Sequence, residues 1–166
     1  MVASLPSIAK TYFLLRLLCL SCLSLLLSVA TTSAETIVHY QFADNLLDSS
    51  GKSNNGSLVG GSASYVDGDS GRAISLSGAQ YIVMPNNVIR NQTDFTISIR
   101  FRTSDSNGGV LLAYQNTAAS VSPSNYIPIA AVDSNGYFRA ELWTSNGGLV
   151  RTSTSQVNNG QWHTAV

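Results

Sequence analysis

Phe95, Ile97, Ile99 and Phe101 alternate without a break with Thr96, Ser98, Arg100 and Arg102. Successive side chains of an extended strand point to opposite faces, so this stretch predicts a strand with one face toward a core and the other toward water. The same alternation recurs at Val38, Tyr40 and Phe42 and, more briefly, at Ile74 and Leu76. Residues 81–84 and 110–114 are continuous apolar runs short enough for buried strands. Beyond residue 34 no stretch carries an apolar stripe at helical spacing over ten or more residues, and the nearest candidate, residues 88–92, is too short and too polar.

Turn chemistry punctuates these runs. Asn-Gly pairs stand at Asn55, Asn107, Asn135, Asn146 and Asn159, and Asp67-Gly68 adds another place where a positive φ is inexpensive. Asp133-Ser134-Asn135-Gly136 is expected to turn residues 127–132 back onto residues 137–143. Asn146-Gly147-Gly148 then returns the chain along residues 149–153, making an antiparallel meander. Pro128 lies inside one of these strands and predicts an edge or a bulge there, because proline has no N–H for the ladder. Short strands with Gly-rich turns and no helices imply an all-β fold of two stacked antiparallel sheets, a β-sandwich.

Residues 1–34 read differently. Lys10 and Arg16 precede an apolar centre over residues 17–29, followed by Thr31-Thr32-Ser33-Ala34, the pattern of a secretory signal peptide with cleavage after Ala34. Cleavage after Ala30 and a retained anchor over residues 12–29 are the alternatives. Cys19 and Cys22 both lie in the apolar run and read as small greasy residues rather than a redox pair. Removal of the signal leaves residues 35–166 as an exported, extracellular or cell-surface body with no cysteine, so its stability has to come from packing. That body carries Lys52 and six arginines against nine acids, 7 − 9 = −2, and no basic cluster beyond Arg100 and Arg102. Nucleic acid is not an expected partner, and no second apolar stretch reaches membrane-spanning length.

Several segments carry a more specific spelling. Tyr40-Gln41-Phe42-Ala43-Asp44, the stretch from Asp48-Ser49-Ser50-Gly51 to Asn55-Gly56, and Gly71-Arg72-Ala73-Ile74-Ser75-Leu76-Ser77-Gly78 come first. Phe95-Thr96-Ile97-Ser98 and Gln161-Trp162-His163 follow in order. Together they resemble the laminin-G-like, concanavalin A-like jelly-roll family over nearly all of residues 35–166. The resemblance implies a jelly-roll sandwich used for adhesion or recognition of glycans or extracellular proteins. It also implies further strands after the Trp-His segment, whereas this chain stops at Val166, so the domain is expected to be incomplete at its C-terminus. In family members that bind calcium, an Asp just before an aromatic-aliphatic strand is a ligand. The matching position here is Asn125, before Tyr126-Ile127-Pro128-Ile129.

Candidate ligand-binding residues are therefore Asn125, Tyr126 and Trp143, with Asn125 also the candidate at a calcium rim. Asp48 is expected to bond its own turn. His39 and His163 lack the partners of a zinc site. Asn55 and Asn91 begin glycosylation sequons. The reading is a non-catalytic recognition module. A glycosidase would need paired carboxylates, for which only Asp67 and Asp69 have strand-face spacing, and a structural spacer within a larger surface protein is the third reading.

Overall fold

The computed structural model describes residues 34–86, 88–90, 92–118, 121, 124–144 and 146–166. The chain divides into two units, Met1–Thr36 and Ile37–Val166, and every strand belongs to the second. The expected signal peptide, except Ala34, and Asn91 lie outside the described residues.

Ten strands are present among the described residues: β1 (Ser57–Val59), β2 (Ser64–Asp67), β3 (Arg72–Ser75), β4 (Tyr81–Val83), β5 (Ile99–Arg102), β6 (Gly109–Gln115), β7 (Tyr126–Val132), β8 (Tyr137–Thr144), β9 (Gly147–Gln156) and β10 (Trp162–Ala165). They form a four-stranded sheet in the order β6-β7-β8-β9 and three pairs, β1-β4, β2-β3 and β5-β10. All pairing is antiparallel, no sheet closes into a barrel, and the described residues contain no helix.

The meander follows from its turns. Asp133 Oδ1 accepts the N–H groups of Asn135 and Tyr137, and Gly136, at φ +85°, donates to Asp133 O at 2.9 Å. An acidic side chain that mimics a turn carbonyl, followed by a glycine in the left-handed region, reverses the chain within a few residues. The second reversal leads from Thr144 to Gly147, which has φ +110°. β8 then pairs residue for residue with β9, from Arg139 opposite Thr152 to Thr144 opposite Gly147. Pro128 is not on an edge strand, because β7 lies between β6 and β8. It falls instead within a register irregularity, where Leu112 is opposite Ala130 and Tyr114 opposite Ile127. A bulge leaves a residue out of the ladder, and this accommodates the missing N–H.

The core lies where β5 and β10 meet the four-stranded sheet. Phe101, Val132 and Val157 are buried together, and Ile99, Leu111, Phe138 and Ala165 pack against them. The rings of Phe101 and Phe138 stack with centroids 6.0 Å apart, and His163 tilts against Phe101 at 5.9 Å. Removing a phenylalanine of this kind from water contributes roughly 2–3 kcal/mol. The opposite face of β5-β10 is polar. Arg100 donates from Nε to Asp69 Oδ1 at 2.8 Å, pairs through Nη2 with Asp69, and reaches Thr164 Oγ1 through Nη1. The Arg102 guanidinium lies 5.1 Å from the centroid of the Trp162 ring.

Three expectations need correction. The stripe starting at Phe95 enters a strand only at Ile99, and Phe95 is exposed. Residues 110–114 do form a strand, but β6 is an edge, and Val110 and Tyr114 are exposed on it rather than buried.

Third, Val38, Tyr40 and Phe42 do not make a strand. Only an isolated bridge joins Tyr40 to Asp48, and Phe42 has φ +53°, outside the β region. A carboxylate competes with the ladder for donors here. Asp48 Oδ1 accepts the N–H groups of His39 and Ser50, and Oδ2 accepts the Ser50 hydroxyl and the Asn54 N–H, all within 2.9 Å. Asn55 Oδ1 accepts the Asp48 N–H, Asn54 Nδ2 donates to Ile37 O, and the Tyr40 hydroxyl donates to Asn54 O. Burial alone would raise the Asp48 carboxyl pKa, but the hydrogen bonds from Ser50, His39 and Asn54 outweigh it and hold the group well below the usual carboxylate range.

Candidate functional site

On β8, Phe138 and Ala140 stand opposite Val132 and Ala130 of β7, which are buried, so this side of the strand faces the core. A period of two then turns Arg139, Glu141 and Trp143 together to the other side. The stretch from 139 to 143 is in register with β9 throughout, which places Thr152 opposite Arg139, Val150 opposite Glu141 and Gly148 opposite Trp143.

Trp143 is 61% exposed, which is unusual for a residue of its size with a ring to bury. Its orientation is nevertheless set on two sides. Its Nε1 donates to Glu141 Oε1 at 2.6 Å, a charge-assisted bond to a half-buried carboxylate. Its indole lies across Gly148, where an added Cβ would come within 3.3 Å of Cε2. An aromatic plane that is held in place and still open to solvent can stack on the apolar face of a sugar ring, while the second oxygen of Glu141 can accept from a hydroxyl.

Asn125 and Tyr126 stand at the mouth of the β6-β7 connection. Asn125 donates its N–H to Asn116 Oδ1 and accepts from the Asn116 N–H, both at 3.2 Å, and Asn116 Nδ2 donates to Ser124 Oγ. Tyr126 opens β7 opposite Gln115 and is 58% exposed. Because β7 and β8 run antiparallel, Tyr126 and Trp143 lie at the same end of the sheet. Among the described residues no hydrogen bond or ring contact joins them. Among the described residues the donor set around Asn125 does not fit calcium: the side chains bonded there are neutral, and Asn116 Oδ1 is already committed to a backbone N–H. No group of three or more His, Cys, Asp or Glu side chains among the described residues is placed to hold a metal.

Three other acids are engaged with arginines. Asp67 and Asp44 both pair with Arg72, which raises the pKa of that guanidinium, and Asp69 pairs with Arg100. His39 Nδ1 is 3.1 Å from Ser49 Oγ, and His163 Nε2 is 2.9 Å from Asn159 Oδ1. A groove of about 280 Å³ opens beside the core between Phe101, Phe138, Val157, His163 and Ala165. Core side chains make part of its wall, and Ser153, Thr164 and the exposed Val166 complete it.

Sequence reasoning singles out Trp143 as a ligand-binding residue, weighs Glu141 only as a lone acid for a glycosidase, and passes over Arg139. Their spacing of two residues along a strand is the available signal, since it puts all three on one face once the strand is assigned. Comparison with protein-family models, with curated proteins and with solved structures finds no match.

Proposed function

We propose that residues 35–166 are a secreted or cell-surface recognition module without catalytic activity, a β-sandwich of the laminin-G-like jelly-roll type, and that it binds glycans on the outer face of β8 and β9. The observation that carries this reading is Trp143, exposed to solvent yet fixed over Gly148 and bonded to Glu141. An exposed tryptophan loses water from a large apolar surface when a ring stacks on it, and a held ring gives up little conformational freedom in doing so. Tyr126, exposed at the same end of the sheet, extends the surface available to a longer chain.

A glycan array probed with the full chain tests the proposal. Binding to at least one glycan class, lost in Trp143→Ala while circular dichroism remains that of a β protein, is the expected result. Retention of all binding by that variant, or no glycan bound at all, rejects the assignment.

A further inference from the structure

Arg139 has a setting unlike that of the other arginines that lie on strands. Arg72 lies between Asp44 and Asp67, Arg100 is paired with Asp69, Arg102 lies over Trp162, and Arg151 donates from Nη1 to Val150 O. Arg139 is exposed, and among the described residues it makes no ion pair, guanidinium hydrogen bond or ring contact. The nearest acid on its own face is Glu141, two residues along β8, and that carboxylate is turned to the Trp143 indole instead. Bonding between Glu141 and Trp143 thus fixes the ring and at the same time leaves a guanidinium without its natural neighbour.

Resting on the glycan-binding reading above, we propose that this face selects acidic oligosaccharides, with a sugar ring on Trp143 and a carboxylate or sulfate of a further sugar on Arg139. Four residues of strand separate the two side chains, a rise of roughly 13 Å, so the ligand is longer than a single pyranose. Glu141 lies between them, and its carboxylate excludes an anionic group from the middle of the site while accepting sugar hydroxyls. The guanidinium suits the outer position because its planar fork meets a carboxylate or sulfate with paired N–H donors.

The test is titration of the full chain with three probes: trigalacturonate, its carboxyl-reduced neutral counterpart, and a sulfated galactan fragment. The expected result is binding of one or both anionic probes about tenfold more tightly than the neutral one, with the difference shrinking as salt is raised. Which anion is preferred identifies the acidic group. Arg139→Gln removes the preference and leaves the neutral probe unaffected. Arg151→Gln, on the strand face that carries Ala140 rather than Trp143, keeps the preference. Equal affinity for acidic and neutral probes, or a preference that survives Arg139→Gln, overturns this inference but not the glycan-binding reading. Failure to bind any of the three also overturns it, and an array on which no glycan binds removes both.

Discussion

The segment around Asp48 and the meander from β6 to β9 are held together by different physics. In the meander, strands supply each other's backbone donors and acceptors, and side chains are left to fill the core or face water. Around Asp48, one carboxylate collects donors from His39, Ser50 and Asn54 and takes the place of a ladder. Regular pairing makes order that is insensitive to pH. A carboxylate hub makes order that lasts only while the hub is charged.

The largest expected effect falls on the meander side. Phe101→Ala removes the ring that stacks on Phe138 and touches His163, and unfolding in denaturant should show a loss of about 3 kcal/mol, the lower end for such truncations because a groove already opens beside the ring. Equal loss in a variant of exposed Phe95 would mean that the core lies elsewhere.

Asp48 provides the contrasting test. Its folded pKa is depressed, so its contribution is fully present above the unfolded value of about 3.9 and is lost as pH falls from there through the folded value. Melting midpoints should fall more steeply below about pH 4 in the parent chain than in Asp48→Asn, which lowers stability at neutral pH and flattens the acid limb. Hydrogen exchange sharpens the comparison: the amides of His39, Ser50 and Asn54 should lose protection on acidification before those of β7 and β8. Parallel acid limbs in the two proteins would place the stabilising charge elsewhere.

The smallest effect on stability is expected at the site itself. Trp143→Ala should shift the unfolding free energy by no more than about 0.5 kcal/mol, as exposed substitutions do. A larger loss, read from the same denaturant curves, would make the ring a packing residue.

The same contrast explains which elements are legible in the amino-acid sequence. Asp133-Ser134-Asn135-Gly136 and Asn146-Gly147-Gly148 specify their reversals locally, so the meander forms where those residues predict it. The alternation at Val38, Tyr40 and Phe42 looks the same, but the competitor that defeats it comes from Asp48, and a pattern of hydrophobicity says nothing about a side chain that outbids a ladder. Phe95 fails for a related reason: period two names a face but not whether a neighbouring strand will cover it. At the site, Trp143 is visible as a large aromatic near a turn. That Glu141 turns toward it and away from Arg139 depends on rotamers, which spacing alone does not determine.

The β5-β10 pair has a consequence for biosynthesis. Ile99 is matched with Ala165 and Arg102 with Trp162, so the ladder that shields Phe101 joins stretches of chain made far apart in time. Distant pairings of this kind close slowly, and until then the apolar face carrying Ile99 and Phe101 stands open to other nascent chains. Crowded expression, early release from the ribosome or scarce chaperones would therefore be felt first at residues 99–102, as aggregates formed before the protein has ever been native.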